Sequence, residues 1–218
     1  MDYIGVIIGG TAVVSAAIGG TRKLVERHRV RRDLAVSPDL GAKTPEGTVV
    51  RVTGVVRKRD TLIVAPLSGT ECVAARARVT TGLWYTRGAT KPREWFAIVS
   101  FVVDRDGEPP VVVEGQHARI ALPSPRLGRV KAGSAELARR EQLLLQLGER
   151  SASALRAGCE EVAIVPGMRV SVAGLMMLDQ PSAPPAADDE RLFRELPPAT
   201  LRLVGNATHP LVIGRPVA

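Results

Sequence analysis

Aromatic residues are scarce in this sequence: Phe, Trp and Tyr together make up 3% of it. Proteins that hold single-stranded nucleic acid stack successive bases on aromatic side chains, so this poverty argues against such a partner. Cysteine is limited to Cys72 and Cys159. Two cannot build a disulfide framework, and neither stands in a CxxC or Cys/His spacing that would hold zinc. They read as two small buried hydrophobes. The three histidines, His28, His117 and His209, are scattered. Phosphate-cradling glycine loops, dinucleotide fingerprints and internal repeats are also missing. No metal or cofactor is therefore expected.

One long apolar run is present, at the N-terminus. Tyr3 to Gly20 reads YIGVIIGGTAVVSAAIGG without a charge. Its 18 residues make roughly 27 Å of helix, enough to cross a bilayer core. Thr21 extends it, giving a predicted transmembrane helix over 3–21. A signal peptide would need a basic stretch before the run, and only Met1 and Asp2 precede it. A buried core helix is the other alternative, since five glycines weaken the hydropathy. The charge follows the run instead: Arg22, Lys23, Arg27, Arg29, Arg31 and Arg32 make residues 22–34 a basic juxtamembrane segment. The positive-inside rule puts that segment, and the chain after it, in the cytoplasm. Half of the net charge of +8 sits there, so the basic pI need not signal DNA or RNA. The same residues suit an anionic membrane surface. Gly5, Gly9, Ala12, Ala16 and Gly20 fall along one face of the helix, a small-residue pattern that points to self-association through the anchor. Arg greatly outnumbers Lys, and Ala, Gly and Pro are abundant, a bias that points to a bacterial coding sequence and so to a bacterial inner membrane.

Residues 35–46 (AVSPDLGAKTPE) read as a linker. Beyond it the pattern is of short strands with Gly and Pro punctuation. Strands are predicted at Gly47–Val56, with a bend at Gly54, at Thr61–Val64 and at Cys72–Thr80, which alternates apolar and basic. Trp95–Val103 is the most apolar run and reads as a single central strand. Asp104 to Gly107 reads as a hairpin turn. Further strands are expected at Val111–Glu114, Arg119–Leu122, Glu161–Ile164, Arg169–Ala173, Leu201–Val204 and Pro210–Ile213. One amphipathic helix is predicted from a Ser134 cap, over about 134–157, with Leu137, Leu144, Leu147 and Leu155 near one stripe and Gly148 as a potential break. Residues 179–190 read as a Pro/Ala/acid loop. The sum is a mainly β domain over 47–214, an OB-like barrel or sandwich of about seven to nine short strands with one inserted helix.

Several blocks of this domain resemble a known family. Leu62 to Gly69, with Ala65, Pro66, Leu67, Ser68 and Gly69 at its core, then Cys72-Val73, is similar to the "L-x-A/S-P-L-S-G-x-x-C-V" block of the GIDE domain. Phe101 to Gly107, with Asp104 and Gly107, resembles that family's "F-x-L-x-D-x-T-G". Val111 to Ala118 resembles its "V-x-V-x-P-x-x-A", and Glu161 to Gly174, with Pro166, Gly167 and Gly174, its "E-x-x-L-x-P-G-x-x-V-x-V-x-G". Pro210 to Ile213 resembles the closing "P-L-x-I". The likeness spans roughly residues 46–214. It implies a domain beside a membrane, in a family that includes RING-type ubiquitin ligases. A RING holds each zinc ion with four Cys/His ligands; two Cys and three His cannot supply it.

No catalytic set emerges from the residues. Ser68 in P-L-S-G lacks the nucleophile-elbow pattern and reads as a turn residue. Asp104 and Asp106 read as turn carboxylates, and Asn206-Ala207-Thr208 is a glycosylation sequon without use in the cytoplasm. Arg76, Arg78, Arg87, Lys91 and Arg93 around Trp84, Tyr85 and Trp95 are the best nucleic-acid or anionic-lipid patch available, against the plainer reading of an exposed hairpin. The sequence thus predicts a membrane-tethered module that works by binding a protein partner, not an enzyme. A role within a ubiquitin-ligase-like system, or as a basic nucleic-acid or lipid binder, is the alternative.

Overall fold

The computed structural model describes residues 32–41, 43–80, 92–115, 117–128, 130–149, 154–155, 157–179 and 200–216. The predicted span over 3–21, its face of Gly5, Gly9, Ala12, Ala16 and Gly20, and Arg22, Lys23, Arg27, Arg29 and Arg31 lie outside the described residues. So do Arg87, Lys91 and nearly all of the predicted 179–190 loop. Among the described residues no helix is long and apolar enough to cross a membrane.

Alternation of valine with polar residues builds the centre of the molecule. Strand β1 (Val49–Lys58) buries Val50, Val52 and Val56 while Arg51 and Thr53 face outward. Its partners are β6 (Phe101–Arg105) on one edge and β11 (Arg169–Asp179) on the other. The sheet continues from β6 to β7 (Glu108–Glu114), then to β12 (Thr200–Val204), and from β12 back to β11. Five strands thus close into a barrel in the order β1-β6-β7-β12-β11, with every pairing antiparallel except β7 with β12. Closure leaves these strands without a bare edge. Phe101, Val103, Val111, Val113, Val170, Val172, Met176 and Leu203 fill the interior with the β1 valines.

Strand β11 carries more than its share of the pairing. One edge holds β1 from Val49 to Val55, and the other holds first β13 (Leu211–Gly214) and then β12. Beside β13 lies β8 (Ala118–Ile120), in parallel.

The chain leaves the barrel twice. Between β1 and β6 it forms β2 (Ile63–Val64), β3 (Glu71–Cys72), β4 (Ala74–Thr80) and β5 (Arg93–Ile98). Between β7 and β11 it forms β8, then β9 (Arg126–Leu127), helix α1 (Ala135–Gln146) and β10 (Gly158–Ile164). The two excursions meet in a second sheet ordered β5-β4-β10-β9. Helix α1 lays Leu137, Leu143 and Leu144 over Ala77 and Val79 of β4 and Cys159 of β10, which makes a second core.

Several expectations are corrected. Thirteen strands are described, not seven to nine. Part of the excess comes from Trp95–Val103, which is not one central strand. It breaks at Val99 and Ser100, with β5 at the edge of the second sheet and β6 in the barrel wall. Its unbroken apolarity serves two cores in succession, since Trp95 packs beside α1 while Phe101 and Val103 enter the barrel. Helix α1 has the predicted cap, for Ser134 Oγ accepts from Leu137 N–H at 3.2 Å, but it stops at Gln146 rather than near residue 155. Gly148 ends it in the left-handed conformation, with Glu149 N–H reaching back to Leu144 O and Gly148 N–H to Leu145 O, the double bond of a helix C-cap. Leu155 is exposed instead of joining the stripe.

The stretch read as a linker is attached to the barrel. Residues 32–36 are helical, and Leu34 is buried against Ala173 and Val212. Leu40 joins the barrel core. Arg51 N–H donates to Pro38 O at 2.8 Å, and Leu40 N–H donates to Arg51 O at 3.0 Å. The Arg51 guanidinium grips both Asp39 carboxylate oxygens, at 2.8 and 3.0 Å, and also the Leu34 carbonyl at 3.0 Å. That two-point grip raises the Arg51 pKa and lowers that of Asp39, each chiefly through the shared hydrogen bond.

Two glycines serve different needs. Next to Gly54, at Val55, the β11 pairing on one edge of β1 ends and the β6 pairing on the other edge begins, and a Cβ on Gly54 would lie 2.0 Å from Asp104 O. Gly107 has φ +73° in the Asp106-Gly107 turn, with open space around it. Gly54→Ala should therefore destabilise the domain by about 1–3 kcal/mol, and Gly107→Ala by about 1 kcal/mol, through backbone strain alone. Chemical denaturation of both variants measures this. Equal tolerance of the two would contradict a close strand crossing at Gly54.

Candidate functional site

The P-L-S-G segment is held from several sides. Residues 66–68 turn sharply between β2 and β3, closed by Ala65 N–H to Thr70 O and Gly69 N–H to Ala65 O, both at 2.9 Å. Ala65 and Leu67 are fully buried, Pro66 is half-buried, and Ser68 and Gly69 are exposed at the tip. From below, Glu161 of β10 accepts the Leu67 N–H at 2.7 Å with one carboxylate oxygen and the Ser68 N–H at 2.9 Å with the other. From the side, Arg139 of α1 donates its Nε–H to Leu67 O at 2.8 Å. Glu161 is only 5% exposed, so the pairing of both oxygens is what makes its burial tolerable.

This geometry assigns the turn a structural task. Ser68 Oγ accepts from Thr70 N–H at 3.3 Å and is held in the turn, not beside a base. Cys72 lies buried behind the turn, its thiol donating to Ile63 O at 3.6 Å. Burial first, then the nearby Glu161 carboxylate, push the Cys72 thiol up to about 11. Burial likewise raises Cys159. Neither thiol is placed for nucleophilic chemistry at neutral pH.

The other sequence-marked residues are spread over the molecule. Asp104 pairs with Arg57, and Asp106 with Arg169 at 2.8 Å, so the two carboxylates are committed to different arginines. Among the described residues no group of His, Cys, Asp and Glu could hold a metal ion. Pro166 and Gly167 form the turn between β10 and β11, where Gly167 N–H donates to Val56 O at 2.8 Å. Gly174 stands opposite Val50 across the β1–β11 ladder and leaves room for the Leu211 side chain.

The described arginines of the predicted basic patch are all engaged with neighbours. Arg76 turns inward to Ile120 O at 2.7 Å and Ser124 Oγ at 3.1 Å. Arg78 pairs with Glu94 at 3.0 Å, and Arg93 with Glu149 at 3.1 Å. The outer wall of the barrel follows the same rule. Across β1, β6, β7 and β12 runs the row Arg57, Val102, Val112, Arg202. Asp104 closes on Arg57, while Glu114 and Asp179 close on Arg202.

Several holding residues were not foreseen. Arg139 and Arg51 carry no motif. Glu161 did leave a signal, since it sits in the apolar phase of the strand Gly158–Ile164, where a free carboxylate would be costly. Asn206, read as part of a sequon, caps a turn through its side-chain oxygen.

Comparison with family models, with curated proteins and with solved structures finds no match.

If Glu161 holds the turn, Glu161→Gln should cost about 1–3 kcal/mol, because its amide nitrogen cannot accept the second N–H. Ser68→Ala should stay within about 0.5 kcal/mol. Urea unfolding of both variants measures the contrast, and the reverse order would make Ser68 the residue that matters. The thiols give a separate check. In the folded full chain neither cysteine should react with a disulfide-exchange reagent at mildly alkaline pH, and both should react once denatured. Rapid modification of the native protein would contradict their burial.

Proposed function

We propose that the chain is a membrane-tethered, cytoplasm-facing interaction module, built on an OB-like barrel and without a catalytic centre of its own. The observation that carries this reading is the arm. A basic segment directly after an 18-residue apolar run leads into residues 32–40, which are clamped to the barrel through Leu34, Asp39 and Leu40. An anchor joined in this way presents the domain at a fixed attitude beside the bilayer. A free spacer would let it drift.

The strand order supports the OB-like part of the reading. In chain order the barrel strands run first, second, third, fifth, fourth and back to the first, with the third and fifth parallel. Barrels of this kind bind along the outer face of their second and third strands. Here that face offers Val102 and Val112 between closed ion pairs, with no aromatic ring to stack a base. A mixed apolar and charge-paired surface suits a protein partner better than a polyanion, which needs free cations.

The resemblance to the GIDE domain points the same way. Two of its blocks, around Pro66 to Cys72 and around Glu161 to Gly167, are joined by the Glu161 hydrogen bonds, as parts of one structural unit would be. A ubiquitin-ligase-like role has that resemblance alone behind it.

The full chain should sediment with membranes and resist alkaline extraction, whereas a chain starting at residue 32 should be soluble. Protease added to sealed cells should leave the domain whole. Full-length protein in the soluble fraction would remove the tether, and cleavage on intact cells would reverse the orientation.

A further inference from the structure

The arm enters the domain beside an open cleft of about 350 Å³. One wall is the helical stretch carrying Arg32, Asp33 and Val36; the other is the loop carrying Thr208 and His209. The floor is apolar, made by Val49, Ala173 and Val212. The second wall is held in shape by Asn206, whose Oδ1 accepts from Thr208 N–H at 2.9 Å and from His209 N–H at 2.6 Å. Asn206 N–H donates in turn to His209 O at 3.0 Å. The turn is therefore set before anything binds.

The chemistry of the cleft is amphiphilic. Its mouth offers a guanidinium, an imidazole and a hydroxyl, which suit a phosphate, and a carboxylate, which suits an ammonium. Its floor suits hydrocarbon. Its volume lies at the small end of ligand sites, enough for a headgroup and the atoms next to it. Position narrows the occupant further. Arg32 comes eleven positions after Thr21, where the apolar run ends, a separation that no chain can stretch beyond about 40 Å. So short a tether keeps the cleft near the membrane that the run would cross and lets it meet the headgroup layer. Val36, on its rim, is 75% exposed, an apolar side chain that a lipid would cover.

We propose that this cleft holds the headgroup end of a phospholipid from the adjoining bilayer, of the kind that carries both a phosphate and an ammonium. Arg32, His209 and Thr208 bind the phosphate, Asp33 binds the ammonium, and Val49, Ala173 and Val212 lie under the glycerol and first acyl carbons. This rests on the tethered reading given above. The site turns the entry point of the arm into a second membrane contact, separate from the apolar run.

The test uses the full chain in vesicles of phosphatidylethanolamine and phosphatidylglycerol, doped with an ethanolamine phospholipid bearing a photoreactive group near its glycerol. After illumination, labelled peptides are mapped by mass spectrometry. Label is expected both in the N-terminal run and in the peptides around 32–37 and 205–212. Arg32→Glu should lower the cleft label roughly fivefold, the effect of one basic contact at a membrane surface, and leave the label in the run unchanged. A matching glycerol-headed probe should label the cleft less. Label in the run with none in the cleft overturns the proposal and leaves the tether standing. Absence of label from the run removes the tether itself. Equal cleft labelling by both probes, unmoved by Arg32→Glu, overturns the headgroup assignment.

Discussion

The chain leaves the barrel between β1 and β6 and again between β7 and β11, and the second sheet exists only if the two excursions find each other. Glu161 ties them. It belongs to the second excursion, and its two oxygens take the N–H groups of Leu67 and Ser68 in the first. Without it the buried Leu67 N–H would lack a partner, and a lone carboxylate in the same place would be worse. Each group makes the other's burial acceptable. Around that contact β4 pairs with β10 along seven residues, and α1 closes over both, adding Arg139 to the same turn. The helix carries a buried cation of its own in Arg140, which donates to Gly128 O and Glu136.

Arginine is the recurring fastener elsewhere too. Its planar fork can grip a carboxylate and a carbonyl at once, which the point charge of lysine does less well. Arg51 holds Asp39 and Leu34 O together, and Arg202 bridges Glu114 and Asp179. The strong Arg bias of the composition thus has a structural outlet. Among the described residues, Arg51, Arg57, Arg78, Arg93, Arg169 and Arg202 each share their charge with a neighbouring carboxylate.

Much of the fold was legible because it rests on local rules. Valine alternation marked β1, and Ser134 announced the start of α1; the turn read over Asp104 to Gly107 is real but shorter, since Asp104 and Arg105 belong to β6. What escaped depends on long-range pairing. Nothing local in Trp95 to Val103 says that the chain changes sheets at Ser100; only the partners of each half decide it. The end of α1 hung on Gly148 adopting positive φ, which the sequence allowed without requiring. Residues 35–46 have the composition of a spacer, and their attachment depends on Arg51, a residue whose strand position shows nothing of what it will hold. At the P-L-S-G turn the motif was visible, but its purpose was not, because the residue that explains it lies 93 positions away.

The arm also decides how the domain answers a pull. Its bridge to β1, at Asp39 and Arg51, is parallel, so the main-chain bonds from Arg51 to Pro38 and Leu40 lie across the direction of the chain. A tension applied at residue 32 and resisted by the barrel meets these bonds side by side with the Asp39 grip and the buried Leu34. They must slide together and cannot open in sequence like a zip. Tension on the arm therefore reaches β1 and the whole closed ring of strands as shear, the direction in which hydrogen-bonded strands resist most.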